Sequence, residues 1–126
     1  MQTSVLLSVK PRFAEAILDG TKRYEFRRAL FRSSRVHTII LYASSPVKKV
    51  VGEFRLVEVI SLAPAALWAA TRSGSGIERR YFDEYFAGLA KGHALKVAKP
   101  RRYPKPRDLS KHYGILRPPQ SFCYLA

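Results

Sequence analysis

The stretch Gly20-Thr21-Lys22-Arg23-Tyr24-Glu25-Phe26-Arg27 decides the interpretation of this chain. It follows a segment from Pro11 to Asp19 in which the apolar residues share one helical stripe. Proline suits the first position of a helix, and glycine suits the residue just beyond its end. Within the stretch itself, charged residues then alternate with aromatic ones, which is the period of a strand with one buried face. The sequence therefore predicts a helix that turns directly into a strand carrying a group of charges.

The remaining segments predict a mixed order of strands and short helices. Strands are predicted at Val5–Val9, His37–Ala43, Val50–Leu62, Gly92–Ala98 and Gln120–Leu125, helices from Pro64 and over Ile77–Phe86, and a basic, proline-rich loop over Lys99–Pro106. Many strands with few helices favour an α+β fold built on a β-barrel, in which closure removes exposed sheet edges. The length of 126 residues fits a single domain over residues 1–126.

Two patterns in the second half of the chain concern packing. The run Ser73-Gly74-Ser75-Gly76 is expected to form a flexible break between two helices. In the helix that follows, Tyr81, Phe82, Tyr85 and Phe86 have i, i+1, i+4, i+5 spacing. We interpret these four rings as one aromatic stripe that packs into the core.

The charge balance indicates a polyanionic partner. Lysine and arginine number 23 against 9 acidic residues, which gives a formal net charge of +14 and a pI of about 10.4. The basic residues concentrate in Lys10–Arg35 and Lys96–Arg117, which favours nucleic acid over a merely basic protein with no such partner. No apolar run approaches the roughly 20 residues of a membrane helix, and no basic amphipathic helix is predicted, so no membrane role is expected.

Other classes of chemistry find little support in the sequence. The single cysteine, Cys123, cannot form an internal disulfide, and it favours a reducing, cytoplasmic location. The three histidines are scattered without the spacing of a metal site, so no metal is expected. No phosphate-binding glycine motif is present either, and neither ATP nor NAD nor any other cofactor is implied.

The stretch at residues 20–27 matches the G-x-K-x-x-E-x-R signature of the ASCH domain family, which is similar to the RNA-binding PUA domain. Further segments that resemble the family are Ser8–Pro11, Tyr42–Phe54 and Pro119–Phe122. The resemblance implies a PUA-like β-barrel with short flanking helices and a cleft for RNA or a nucleotide-like small molecule. Members of this family include RNA-binding regulators, coactivator-linked modules and enzymes that act on RNA or modified nucleosides.

The candidate cleft is built around Lys22, Glu25 and Arg27, which bring an ammonium, a carboxylate and a guanidinium into one short segment. Strand alternation places Glu25 and Arg27 on one face, so Lys22 joins them only from the turn before the strand. Further ligand or RNA contacts are assigned to Lys10, Arg23, Tyr42, Ser44, Ser45, Lys48, Trp68, Gln120 and Ser121. The basic loop adds phosphate contacts through Arg101, Arg102, Lys105 and Arg107.

Three functions are compatible with this pattern. The leading hypothesis is a regulatory RNA-binding module whose cleft holds one nucleotide. The alternative is a metal-independent hydrolase, in which Lys22 acts as base or nucleophile and Glu25 or Ser121 assists. Such an enzyme would be a ribonuclease or would resemble the N4-acetylcytidine amidohydrolases, whose catalytic lysine falls on Lys22 but whose threonine falls on Glu25. The third is an adaptor in a transcription complex that contacts an acidic protein partner.

Overall fold

The computed structural model describes residues 3–125. In chain order, its elements are β1 (Thr3–Val9), α1 (Pro11–Leu18), β2 (Tyr24–Arg27), β3 (Val36–Ala43), β4 (Lys49–Leu62), α2 (Pro64–Thr71), α3 (Arg79–Tyr85), β5 (Gly92–Arg107), α4 (Leu109–Tyr113) and β6 (Phe122–Leu125). A short 3₁₀ helix, Arg72–Gly74, connects α2 to the segment before α3. The predicted α+β class and the order of elements are confirmed.

All six strands join one sheet in the order β2-β5-β4-β3-β1-β6. Neighbouring strands are antiparallel except β1 and β3, which run parallel from Ser4↔Thr38 to Val9↔Ala43. Parallel neighbours need a crossover connection, and α1 with β2 provides it. The consecutive strands β3 and β4 form an antiparallel pair.

The sheet does not close into the barrel that was predicted. β2 and β6 are its two edges, and within residues 3–125 no strand ladder joins them. Both edge strands have only 4 residues, and the side chain of Arg27 reaches across from β2 to Ser8 and Ser121 at the far side of the sheet. The gap is therefore bridged by side-chain hydrogen bonds where a closed barrel has backbone pairing.

The core lies between the sheet and the helices packed on it. Ile17 of the predicted α1 stripe is buried together with Ala14, and both contact the main cluster of β-sheet side chains, whereas Phe13 and Ala16 of that stripe are only partly buried. A second cluster lies around Tyr103, next to α4, and a third lies around Phe82 of α3. Burial of these apolar surfaces, at about 25 cal/mol per Å², is the main favourable term that fixes the helices.

The prediction of a basic loop is wrong, because residues 99–106 form the second half of strand β5. Its prolines have backbone angles compatible with an extended strand, and they lie where the ladder with β4 is irregular. Val50 of β4 pairs with Arg107, whereas Gly52 pairs with Arg102, so a bulge on β5 accommodates the extra residues. Strand geometry with a bulge thus replaces the expected loop.

The predicted flexible break at residues 73–76 is also wrong. Gly74 and Ser75 are buried, and the backbone N–H of Arg23 donates to the carbonyl of Gly74 at 2.8 Å. Gly76 has φ of +68°, a conformation that favours glycine, and an added Cβ would lie 2.6 Å from Cβ and Cγ of Lys22. The segment is a packed connection whose glycines allow close approach to the chain just before β2.

Candidate functional site

A cleft of about 380 Å³ opens between β2, the start of α1, α3 and the segment before β6. Its lining consists of Ser8, Val9, Lys10, Phe13, Lys22, Glu25, Phe26, Arg27, Arg28, Ala29, Ile77, Tyr81, Tyr85, Gln120 and Ser121. Six of the side chains predicted from sequence are brought together here: Lys10, Lys22, Glu25, Arg27, Gln120 and Ser121. The cleft thus lies at the unpaired edge of β2, where the sheet stays open.

Lys22 is the most unusual residue of the cleft, because its charged side chain is only 1% exposed. Its Nζ donates to the carbonyl of Ser75 at 2.7 Å and lies 3.9 Å from Oε1 of Glu25. The same Nζ lies 4.8 Å from the ring centre of Phe26 and 5.1 Å from that of Phe13. One carbonyl, one carboxylate and two ring faces therefore compensate the ammonium.

Glu25 and Arg27 continue this chain of charges on the same face of β2. Glu25 is 4% exposed, and its Oε2 accepts from Arg27 Nη1 at 3.2 Å. The guanidinium also donates to the Ser8 carbonyl at 3.2 Å and, through Nη2, to Ser121 Oγ at 2.6 Å. Its buried Nε has no hydrogen-bond partner within the described part of the chain. The planar fork of arginine thus fixes both walls of the cleft relative to each other.

An aromatic wall, which the spacing had predicted to lie in the core, faces this charged floor. Phe82 and Phe86 are buried as predicted, whereas Tyr81 and Tyr85 are partly exposed and line the cleft. The two tyrosine rings stack at 6.3 Å with 13° between their planes, and Tyr81 meets Phe13 edge to face at 5.4 Å. When a helix carries aromatic residues on two adjacent stripes, one stripe faces the core and the other does not. The two-stripe spacing in the sequence was therefore the signal that one aromatic pair lies outside the core.

Burial changes the acid–base properties of two cleft residues. It lowers the pKa of the Lys22 ammonium to about 8, against the opposing effect of the Glu25 carboxylate. Burial also raises the pKa of the Tyr85 hydroxyl, which donates to the carbonyl of Phe26 at 3.2 Å. Lys22 therefore loses its proton at a lower pH than an ordinary lysine, in a cleft with a hydrogen-bonded tyrosine beside it.

The family model of the ASCH domain matches residues 7–105, which include the G-x-K-x-x-E-x-R motif and most of the cleft. The chain belongs to the ASCH domain family. The family membership that the motif implied is therefore confirmed.

Relatives of this ASCH domain include an ASCH domain-containing ribonuclease of Zymomonas mobilis, 30% identical over 122 residues, which cover 95% of this chain and 82% of that protein. The large ribosomal subunit protein uL22 of Ureaplasma parvum is 32% identical over 122 residues, 97% of this chain. The chain spans only 39% of the length of that ribosomal protein.

Solved structures show the same fold. The crystal structure of ASCH from Zymomonas mobilis superposes with a TM-score of 0.87 at 29% identity, over 98% of this chain and 87% of that one. The N-terminal domain of Staphylothermus marinus McrB has a TM-score of 0.54 at 16% identity and shares the fold.

Several side chains that were predicted to contact the ligand lie outside the lining of the ASCH cleft. Tyr42 is buried in the second core cluster, and Trp68 packs against Phe82 with ring centres 5.0 Å apart. Tyr42 is thus enclosed by the core, and Trp68 is partly buried against the third cluster. Arg23 is exposed and does not line the cleft.

The predicted contacts from the β3–β4 turn and from β5 also lie elsewhere in the ASCH fold. Ser44, Ser45 and Lys48 belong to the turn and do not line the cleft. On β5, Arg101 pairs with Glu53 at 3.0 Å, Arg102 pairs with Glu15 at 2.8 Å, Lys105 is exposed, and Arg107 lies 3.8 Å over the Tyr103 ring. The β5 cations thus form a surface separate from the cleft.

The described chain offers neither a clustered metal-ligand set nor a membrane-spanning helix. Residues 3–125 contain no group of three or more histidine, cysteine, aspartate or glutamate side chains placed to hold a metal ion. In the same part of the chain, no helix has the length and apolar character needed to cross a membrane.

Proposed function

We propose that this ASCH domain binds RNA and holds one nucleotide in the cleft around Lys22, Glu25 and Arg27. The observation that carries the proposal is the combination of an aromatic wall with a floor of two cations in a cleft of about 380 Å³. Stacking on aromatic side chains contributes about 1–3 kcal/mol per base and requires only that the base be unpaired. Cations at the cleft attract the phosphate that every nucleotide carries.

The polar groups have distinct roles in this proposal. The Glu25 carboxylate accepts from a base amino group, and Gln120 and Ser121 at the opening of the cleft offer neutral donors and acceptors to a base edge. Lys10, at the start of α1, attracts a phosphate at a helix end whose dipole favours anions. The names of two relatives support an RNA ligand, since one is a ribonuclease and the other a ribosomal protein.

The test compares cleft variants with a matched exposed ion pair. Lys22→Met and Glu25→Gln alter the buried pair, while Lys96→Met and Glu58→Gln make the same changes in an exposed pair 3.8 Å apart. Fluorescence anisotropy with labelled RNA, and competition by DNA and free nucleosides, gives the preference among ligands. We expect the cleft variants to reduce this preference about tenfold, since each hydrogen bond to a charged group contributes roughly 1.5–3 kcal/mol. The two variants of the exposed pair should change the ligand preference little.

A wild-type protein that binds none of these ligands would contradict the proposal. So would cleft variants whose ligand preference equals that of the wild type. In that case the adaptor hypothesis, in which the basic surface binds an acidic protein partner, becomes the better explanation of the positive charge.

We propose RNA cleavage without a metal as a second activity of the cleft, because the pKa of Lys22 is lowered to about 8. A general base works best with a pKa near the working pH. Neutral Lys22 takes the proton of a ribose 2′-hydroxyl, the 2′-oxygen bonds to phosphorus, and the bond from phosphorus to the 5′-oxygen breaks. Arg27 stabilises the charge that develops on the phosphate, and water protonates the departing 5′-oxygen. The products are a 2′,3′-cyclic phosphate and a 5′-hydroxyl.

Mass spectrometry of RNA incubated with the protein and EDTA tests this second activity. We expect cyclic-phosphate ends, a rate that rises with pH toward a plateau above about pH 8, and a loss of about 100-fold or more in Lys22→Met. N4-acetylcytidine serves as an alternative substrate, and loss of its acetyl group would favour amidohydrolase chemistry. Intact RNA at every pH would rule out the cleavage proposal and leave the binding proposal untouched.

A further inference from the structure

A second hollow, of about 400 Å³, adjoins the cleft on the side of α1. It is lined by Arg12, Phe13, Gly76, Ile77, Glu78 and Tyr81, and we call it the outer hollow. Three of these residues, Phe13, Ile77 and Tyr81, also line the cleft, whereas the other three line the outer hollow alone. The two spaces are therefore neighbours divided by shared side chains, the largest of which is the ring of Tyr81.

Two cations lie over this dividing ring. The guanidinium carbon of Arg12 is 5.3 Å from the ring centre of Tyr81 and 4.8 Å from that of Phe13, and Lys10 Nζ is 5.3 Å from the centre of Tyr81. Both side chains are exposed, and within residues 3–125 neither has a carboxylate at ion-pair distance. Arg79 on α3, in contrast, pairs with Asp83 at 3.6 Å. An anion beside Tyr81 therefore meets two cations that no carboxylate pairs with within residues 3–125.

We propose that the outer hollow holds the nucleotide next to the one in the cleft, so that the ligand is single-stranded RNA of at least two nucleotides. This inference rests on the proposed function of the cleft. The second base lies against the Tyr81 ring, and the phosphate between the two nucleotides is held by Lys10 and Arg12. Because Tyr81 separates the hollows, the two bases are unstacked from each other, which a duplex does not permit.

Glu78 gives the outer hollow a chemical preference. Among the described residues, it contributes the only carboxylate in that lining, and no ion pair engages it within residues 3–125. A carboxylate repels phosphate and accepts from the exocyclic amino group of a base. The phosphate thus lies on the Arg12 side and the base edge on the Glu78 side, where cytosine offers an amino group and uracil does not.

Calorimetric titration with 2′-fluoro ligands, which are not cleaved, tests the inference. The ligands are a cytidine mononucleotide, a cytidine trinucleotide, a uridine trinucleotide and the cytidine sequence within a duplex. We expect the wild type to bind the cytidine trinucleotide about tenfold more tightly than the mononucleotide, with the duplex bound more weakly than the trinucleotide. Arg12→Gln should weaken the trinucleotide more than the mononucleotide and so abolish that advantage. Arg79→Gln, which makes the same charge change on a residue outside both hollows, should retain it.

Glu78→Gln provides an independent variant, since the Glu78 side chain forms no cap hydrogen bond to α3 and its replacement leaves the helix intact. The Glu78→Gln variant should bind the cytidine and uridine trinucleotides with more similar affinities than the wild type does. If Arg12→Gln keeps the trinucleotide advantage, or if the duplex binds as tightly as the trinucleotide, the outer hollow is not a nucleotide site. The cleft proposal survives that result provided that the mononucleotide binds and Glu25→Gln weakens it. If the wild type binds none of these ligands, both proposals fail together.

Discussion

Lys22 shows how a single residue can join fold and chemistry. Burying an ammonium is expensive, and here a carbonyl, a carboxylate and two aromatic faces reduce that cost without removing it. The remaining cost appears as a pKa lowered to about 8 from the usual 10.5 of lysine. Because a perturbed group in a cleft is a common property of functional sites, the same burial that destabilises the charge makes Lys22 the candidate base in the proposed cleavage.

The first prediction is that stability depends on pH through Lys22. Between about pH 8 and 10.5 the unfolded chain holds the lysine proton while the folded chain has released it, so stability rises with pH in this window. Below about pH 8 both states are protonated and the full cost of burial is present, on the order of 3 kcal/mol. Urea unfolding of the wild type and of Lys22→Met at several pH values measures this pH dependence of the free energy of unfolding. The comparison cancels the other groups that titrate there, and parallel curves would refute the prediction.

At the residue scale, the motif predicted which charges meet but not what holds them. Glu25 and Arg27 share a face because they alternate on β2, and Lys22 joins them from the turn before the strand, as the pattern required. The acceptor for Lys22 is the carbonyl of Ser75, 53 positions away in the chain. Backbone carbonyls carry no residue-specific pattern, so the sequence offered no way to find that partner.

At the scale of elements, the segment of residues 72–76 holds Lys22 in place. It supplies the Ser75 carbonyl, and its Gly76 contacts the side chain of Lys22 so closely that no Cβ fits. Two glycines flanked by serines are typical of flexible linkers, which is why this segment was expected to be a break. Composition alone does not distinguish a flexible linker from a segment whose glycines are needed for close packing.

The second prediction separates backbone strain from close packing in that segment. Gly76→Ala places a Cβ 2.6 Å from Lys22, whereas Gly88→Ala introduces a side chain at a similar φ of +79° with nothing within 4 Å. Both variants carry the strain of a left-handed conformation, about 1 kcal/mol. Gly76→Ala should lose at least about 1 kcal/mol more in urea unfolding, because the clash falls on a buried neighbour. Equal losses in the two variants would show that the contact with Lys22 is not tight.

The helix α3 and the strand β5 show how far periodicity predicts an element and its environment. The spacing at residues 81–86 correctly predicted a helix, but it could not say which aromatic pair faces the core, since that depends on what packs alongside. For residues 99–106 the three prolines indicated a loop, and the structure instead accommodates them in a bulged strand. In both cases the neighbouring elements, which local sequence does not encode, determined the result.

At the scale of the whole molecule, the open sheet and the charge distribution divide the RNA contacts that we propose between two surfaces. The cleft occupies the gap between the edges β2 and β6, which a closed barrel would have filled with backbone pairing. The sequence predicted closure from the number of strands, but two edge strands of 4 residues leave room for the side chains of the site. On β5, Arg101, Arg102 and Lys105 form the second surface, distinct from the cleft.

The third prediction is that the β5 surface contributes affinity without ligand preference. The pairs of Arg101 and Arg102 with glutamates are exposed, and such pairs stabilise a fold by only about 0–1 kcal/mol, so phosphates compete for both arginines. Replacing Arg101, Arg102 and Lys105 by glutamine should therefore weaken binding to every RNA alike. For single strands, each phosphate that a side chain neutralises adds about 0.7 to the slope of log K against log salt, so the triple variant should have a slope shallower by roughly 2.

A matched variant distinguishes phosphate contacts made by the β5 surface from a general effect of net charge on RNA binding. Arg32, Arg35 and Arg72 are also exposed, lie outside the cleft and β5, and lower the net charge by the same three units when replaced by glutamine. Anisotropy titrations at several salt concentrations should show a smaller change of slope for this variant than for the β5 variant, because only cations that touch phosphates release condensed counterions. Equal slopes for the two variants would mean that β5 acts through net charge alone. If neither variant alters the slope, phosphate contacts do not drive binding, and the cleft accounts for the affinity by itself.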